Sequence, residues 1–329
     1  LISREPGKLT KLVRHDKYWG WQGQDTSKRI GEIHYRPIAD GKKRVMALIE
    51  GSADFVQDVP SAELQTIRRA PQMKIKVGPE NRVIFLGLSI KPQLDGKPNL
   101  LADRRTREAV AIAIDRRAIQ RDVMLGQSIP TAVLAPPGIN GFPRDLDQIP
   151  PRDVEKARRL LSEASASAPP ALTLDCPNNR YVNDAAICKA VAAQLEEIGL
   201  RITLNLRDKA AHFSTVRSGA SHMYLLGWGV PTFDSAYIFT NLLHTRTANL
   251  GTWNGTGFSD PALDQRITSL SKLTENNSRD RARSMSAIWQ SMSEARIYVP
   301  IHVQTLVYAM RESVNIEVDI SNTPKLKHA

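Results

Sequence analysis

The sequence predicts an α/β fold, and three observations carry that prediction. Residues 171–206 hold a strand, a helix and a strand in succession. Helical and strand periods alternate along almost the whole chain. No run approaches the ~20 apolar residues of a membrane helix; the most apolar late segment, 297–310, is broken by Pro300, His302 and Gln304 and reads as a strand. In the central unit, Ala171–Asp175 is a strand and Asp184–Ile198 a helix with Ile187, Val191, Leu195 and Ile198 on one face. Gly199 stops that helix, and Ile202, Leu204 and Leu206 alternate along the next strand.

The remaining elements follow in order. Residues 9–14 and 32–38 read as strands, and 41–50 as a helix ended by Gly51. Phe55 and Val56 begin a short buried strand, and Ser61 is placed to cap a helix over 61–70. Two strands are expected at 73–77 and 82–90, then a long helix over 104–125 capped by Asp103. Five prolines make 130–150 an irregular loop. A helix over 152–164 is followed by a Ser-, Ala- and Pro-rich surface connection over 162–170. Beyond the central unit come a helix at 209–218, a strand at 222–227, helices at 261–273 and 279–295, and a closing strand at 297–309.

Composition narrows the function. The chain has 329 residues, 41% hydrophobic and 24% charged, the balance of an ordinary globular protein. Its net charge is 45 − 34 = +11, but Lys and Arg are spread along the chain. With no basic block, zinc-finger spacing or RNP-like aromatic motif, nucleic acid is not an expected partner. The seven histidines fall in no metal-ligand spacing, and nucleophile-elbow, P-loop and dinucleotide patterns are absent. No cofactor, metal site or enzymatic activity is expected.

Two features point to a binding site. In 225–243 an apolar strand ends in Gly227-Trp228-Gly229, followed by Phe233, Asp234, Tyr237 and Phe239. Glycines admit close approach of a ligand, and flat aromatic faces with few polar groups suit a concave site. The same aromatics read equally well as core, with Asp234 as the cap of a helix starting at 235. Cys176 and Cys188, the only cysteines, flank a loop that doubles back, so a disulfide is expected, with two buried thiols as the alternative. A bridge implies an oxidising compartment.

The order of motifs resembles the bacterial family 5 extracellular solute-binding proteins, the peptide- and nickel-type receptors of ABC importers. Gly7 to Gly20 resembles the family's "LxxNPxYWG", and Val45–Asp54 its helix ending in "GEvD". Asp103–Arg116 is similar to "DvRvRqAlayAIDR", the most specific match. Val154–Ala164 resembles "A+ LL EAG", Leu225–Leu243 "GWgadypDPxnfl", and Phe258–Asp264 "ysNPevDal". The resemblance implies a type II periplasmic-binding-protein fold of two lobes joined by hinge strands. Residues 1–83 and 302–329 would belong to a first lobe, incomplete because an N-terminal part lies upstream, and 84–301 would form the second. The implied function is that of a periplasmic, monomeric receptor that captures an oligopeptide or similar solute and passes it to a membrane permease. A second expectation is the ligand-sensing domain of a transcription regulator. By the resemblance, Trp228, Gly229 and Asp234 sit at the cleft. Tyr237, Asn179, Arg180, Tyr181, Trp253 and Asn254 are further candidates from residue type and loop position. Peptide-binding relatives carry an Asp three residues after the Trp to hold the peptide ammonium. Here that position is Pro231, which has no charge.

Overall fold

A computed structural model describes residues 1–23, 25, 29–165, 171–273 and 277–326. The expected connection over 162–170 therefore lies partly outside the described residues. The chain divides into two compact units, one made of 1–80 with 305–329, the other of 81–304.

In the smaller unit, strands β1 (Ser3–Glu5), β2 (Leu9–Val13) and β3 (Glu32–Tyr35) form an antiparallel sheet in chain order. Helix α1 (Gly41–Ile49) starts at Asp40, whose carboxylate accepts the Lys43 N–H at 2.8 Å. After β4 (Phe55–Val56) the expected helix over 61–70 is shorter and starts differently. Ser61–Glu63 form a 3-10 turn without a side-chain cap, and α2 covers only Leu64–Arg69. Ser61 is buried and does not serve as the cap the sequence suggested. Val45, Leu48, Val56, Leu64, Ile67, Val307 and Ala309 make this unit's main core.

The two strands expected at 73–77 and 82–90 are one strand, β5 (Met73–Leu88). Gly78-Pro79 reads as a break, yet proline's fixed φ is compatible with extended backbone. Val318 packs so closely on Gly78 that a Cβ there would stand 2.9 Å from it.

The larger unit is built on a sheet. Its strands are β9 (Ala171–Pro177), β10 (Arg201–Arg207), β11 (Met223–Gly229), the end of β5 and the start of β12 (Tyr298–Arg311). The order is β10-β9-β11-β5-β12, and β8 (Ser128–Pro130) pairs with β12. A two-stranded ribbon, β6 (Gln93–Leu94) with β7 (Lys97–Pro98), lies off this sheet. β9, β10 and β11 are mutually parallel, and β11 meets β5 antiparallel.

Helices cover both faces. On one face lie α3 (Arg104–Ala113), α5 (Val154–Ala164) and α6 (Asp184–Glu197). On the other lie α7 (Lys209–Ser218), α8 (Ala236–Ile238) with the π turn Phe239–Leu243, α9 (Pro261–Ser269) and α10 (Ser278–Ala295). Four of these helices start on an aspartate whose carboxylate accepts a first-turn N–H: Asp103, Asp153, Asp208 and Asp260.

The single helix expected over 104–125 is broken. α3 ends at Ala113, Ile114 is extended, and Asp115 caps a new turn, α4 (Arg116–Ala118), by accepting the Ala118 N–H. A π turn, Ile119–Val123, completes the segment. The physical reason is Arg116. Its buried guanidinium donates to the carbonyls of Ala111, Ile114 and Pro300, taking acceptors that a continuous helix would have used internally.

Two predictions concern this core. Cys176 and Cys188 form the expected disulfide, Cα to Cα 6.6 Å, and both are fully buried among Leu174, Ile187 and Val191. Intact-mass measurement will show a gain of two hydrogens on reduction. The Cys176→Ala, Cys188→Ala double variant will lose about 3 kcal/mol of unfolding free energy in a urea titration.

The second concerns His302, 1% exposed, whose two ring nitrogens have no partner among the described residues. Burial drives its imidazole from 6.5 down to about 3. Its folded-state value lies below the unfolded one, so the unfolded chain binds the proton first. Stability is full above pH 6.5 and falls as the pH drops toward 3. By pH 4 the His302→Leu variant, which carries no such proton, will have lost roughly 3 kcal/mol less than the natural chain in acid titrations of unfolding.

Candidate functional site

In open α/β sheets the carboxyl ends of the parallel strands are where ligands meet the chain. Here those ends belong to β9, β10 and β11. They deliver the loop 178–183, the start of α7 and the segment 229–235.

β11 is buried along most of its length, and its period of two assigns each residue to a face. Tyr224, Leu226 and Trp228 enter the core shared with α7, α9 and α10, while Met223 and Leu225 enter the core shared with α3, α5 and α6. Gly227 and Gly229 therefore lie on the α6 side.

The predicted residues separate accordingly. Trp228 is 8% exposed and stacks on Tyr237 with centroids 5.6 Å apart and planes at 26°. Trp253 meets Trp228 edge-on at 6.0 Å and Phe213 at 5.3 Å, and Arg217 lies 4.3 Å over the Trp253 ring. The Trp228 Nε1–H is buried with no acceptor among the described residues. Burying a donor in this way costs free energy.

Tyr181 occupies the other face. Its ring packs where a side chain at Gly227 would be: a Cβ there would stand 2.6 Å from Tyr181 Cε1 and 2.8 Å from Ile84 Cδ1. Glycine at 227 is thus required by a close approach. The Tyr181 hydroxyl donates to the Gly227 carbonyl at 3.3 Å, and burial raises its ionisation above the usual phenol range. The Arg180 guanidinium stands 4.9 Å from the Tyr181 centroid and that of Arg82 5.9 Å. Register places Arg82 directly opposite Gly229, and a Cβ on Gly229 would come 3.0 Å from the Asn81 carbonyl.

The loop carrying these groups is tied down by Asp184, the first residue of α6. Its Oδ2 accepts the N–H groups of Arg180 and Tyr181 at 2.8 and 3.0 Å, and its Oδ1 that of Ala185. Asn183 reaches this start in the left-handed region, φ 56°, with its amide donating to Val123 O. Asn179 accepts the Lys209 N–H at 2.9 Å, fastening the loop to the first turn of α7. The Cys176–Cys188 bridge ties β9 to α6 beneath it.

Asp234 and Asn254 are engaged differently. Asp234 accepts from Arg281 at 2.9 Å, Asn140 at 2.8 Å and the Ala236 N–H at 2.9 Å. Burial pulls its carboxyl upward, but these three donors outweigh it and hold it below the usual aspartate value. It borders a cavity of about 600 Å³ with Asn140, Phe142, Arg281 and Met285. Asn254, 3% exposed, donates to His244 O and Phe258 O and accepts from the Thr256 N–H and hydroxyl. Its hydrogen bonds organise the 244–258 loop.

The structure therefore gathers Arg180, Tyr181 and Gly229 on one face of the sheet and Trp228, Tyr237 and Trp253 on the other. Asp234 takes part in an ion pair beside α10. Sequence reading passed over Arg82 and Asn81. Arg82 immediately precedes the hydrophobic stretch of β5, and only the β5–β11 register reveals that it faces Gly229. Among the described residues no group of three or more His, Cys, Asp or Glu could hold a metal ion, and no helix is long and apolar enough to cross a membrane.

Comparison with known proteins identifies the fold. The ABC transporter substrate-binding protein CtaP from Listeria monocytogenes superposes with a TM-score of 0.80 at 18% identity, over 94% of this chain and 60% of its own. DppA from Helicobacter pylori, solved in complex with the peptide STSA, gives 0.76 at 17%, over 97% and 60%. The fold is that of the type II periplasmic binding proteins. Residues 1–249 match the family model "Bacterial extracellular solute-binding proteins, family 5 Middle", and the chain belongs to that family. Among curated relatives, the glutathione-binding protein GsiB of Salmonella choleraesuis is 22% identical over 312 residues. That match spans 93% of this chain and 58% of GsiB, so the chain covers less than two thirds of this relative.

A prediction separates packing from recognition at the aromatic cluster. Trp228→Ala will lower unfolding free energy by about 3 kcal/mol or more, because it empties a stacked, buried site. Trp228→Phe will recover most of that loss in the same urea titration.

Proposed function

We propose that this chain is the solute-binding component of an ABC importer. It captures a peptide or a similarly sized solute outside the cytoplasm and hands it to a membrane permease. Membership of family 5 over residues 1–249 is the observation that carries this reading. The names of the relatives support the solute class: GsiB is a glutathione-binding protein, and DppA was solved with a bound peptide.

In this reading residues 84–301 form one lobe, and 1–83 with 302–329 contribute to the other. β5 and β12 carry the chain from one to the other. The protein works as a monomer in the periplasm, a setting in keeping with its disulfide. Binding comes from desolvating the solute against aromatic faces, with few polar groups to orient it. We assign the solute contact to the carboxyl ends of β9 and β11, with Gly229, Arg180 and Tyr181 nearest the solute. Trp228, Tyr237 and Trp253 form the aromatic support, and Asn179, Asn254 and Asp234 position the surrounding loops. Pro231, without a charge, removes the aspartate that holds a peptide ammonium in peptide-binding relatives. A free amino terminus is then not the principal handle on the solute.

Thermal unfolding followed across a set of short peptides and small polar solutes tests the proposal. Saturation with a cognate solute at about a hundred times its Kd will add roughly 2.7 kcal/mol and raise the midpoint by a few degrees. The absence of any shift, or chemical turnover of a solute, would contradict it.

A further inference from the structure

We infer that a cavity between the end of α10, the break from α3 to α4 and the 131–150 loop binds a small oxyanion, a carboxylate or a phosphate, through Arg116 and Arg296. This site shares no residue with the solute contact assigned above and does not rest on the receptor reading.

The cavity measures about 230 Å³. That is below the roughly 300–1,000 Å³ of pockets that take drug-sized ligands, so its occupant is small. Buried Trp289 and Tyr298 form part of its wall, and exposed Gln148 and Ser293 add polar groups to its lining. Two guanidinium groups, those of Arg116 and Arg296, complete the chemistry.

Arg116 is 4% exposed. Its Nε donates to Pro300 O at 2.6 Å, and its Nη1 to the carbonyls of Ala111 and Ile114 at 3.3 and 3.4 Å. Its Nη2 donates to no described residue. Burial draws the group from 12.5 down to about 10, so it is still a cation at neutral pH. A buried cation hydrogen-bonded only to neutral carbonyls is costly, and an anion on its unused donors would offset that cost.

Arg296 supplies the second fork. It follows the last residue of α10 in the left-handed region, φ 48°, a conformation that favours glycine. Its Nε is buried and stands 3.8 Å from Glu108, too far for a hydrogen bond. Glu108 instead accepts from Lys156 at 3.0 Å, with Arg104 3.9 Å away. The other acid is Asp147, whose charge acts on Arg116 without a hydrogen bond. Its Oδ1 accepts from the Thr131 hydroxyl and the Ala132 N–H at 2.9 and 2.7 Å. Arg116, Arg296, Lys156 and Arg104 thus share two carboxylates, Glu108 and Asp147, and the balance is positive.

A guanidinium presents a planar fork of donors that matches a carboxylate or a phosphate. Two such forks on one small, partly apolar cavity favour an oxyanion over a cation, which would meet like charge. The Gln148 amide and the Ser293 hydroxyl can donate to further oxygens. A bound anion would join the end of α10 to the α3–α4 break and the 131–150 loop.

The test is calorimetry on the full-length protein with inorganic phosphate and with acetate, each against chloride at matched ionic strength. Arg116 holds three carbonyls of the fold, so Arg296 carries the substitutions, Arg296→Gln and Arg296→Gly. Glycine suits the left-handed position, so the unfolding midpoint of Arg296→Gly without anion should equal or exceed that of the natural chain. A purely structural role for Arg296 would not make that variant lose an anion. The proposal predicts that phosphate or acetate binds the natural chain, with affinity roughly tenfold or more lower in both variants. Tighter phosphate assigns the site to a phosphate group, and tighter acetate to a carboxylate. No binding of either anion beyond the chloride control, or an affinity unchanged in both variants, overturns the proposal. Neither outcome bears on the receptor reading, which the peptide and small-solute titrations test.

Discussion

The architecture of the candidate site depends on one constraint: β11 is packed on both faces, and its side chains alternate between them. A strand in that position has no solvent face to absorb an ill-fitting residue. The aromatic members of Gly-Trp-Gly and its surroundings are consigned to the α7, α9 and α10 side, where Trp228 and Tyr237 stack. The glycines fall on the α6 side, where the ring of Tyr181 takes the space a Cβ would need. A one-residue slip in the β5–β11 register would exchange the two faces. It would drive Trp228 into the α6 core and carry Arg82 away from Gly229.

The same face is braced before any solute arrives. The disulfide fixes β9 to the second turn of α6, and Asp184 gathers the N–H groups of the loop that bears Arg180 and Tyr181. Asn179 ties that loop to α7. Each of these hydrogen bonds is worth little alone, on the order of 1 kcal/mol. Together they limit the freedom that binding would otherwise have to remove, which is the general value of a preorganised site. The buried Nε1–H of Trp228, without an acceptor among the described residues, is a cost carried by the aromatic side of the same strand end.

Much of this was legible from residue order. The βαβ unit declared itself because Ile187, Val191 and Leu195 keep a helical period while Ile202 and Leu204 alternate. Its helix and both strands lie within a few residues of the expected bounds. The cysteine pair was legible because a short returning loop separates its members. Broken regularity was not. The helix over 104–125 shows an unbroken apolar period, and only the three-dimensional position of Pro300 O explains why Arg116 interrupts it. Gly78-Pro79 signals a turn locally, yet β5 runs through it. At the site, sequence supplied the right residue types but not their grouping. Which face of β11 a residue serves depends on strand register, and register is a long-range property. Arg82 was invisible for that reason, and the partners of Asp234, forty-seven residues away at Arg281 and ninety-four at Asn140, could not be read from spacing.

The account's central claim is that solute meets the chain at the carboxyl ends of β9 and β11. Hydrogen–deuterium exchange of the protein purified from its own source, with its solute bound and after the solute is stripped, tests this directly. Bound solute should slow exchange in 178–183 and 227–233 while the Asn140–Arg281 region is unchanged. Protection confined to the cavity beside Asp234 and Arg281, with 178–183 and 227–233 unaffected, would contradict it.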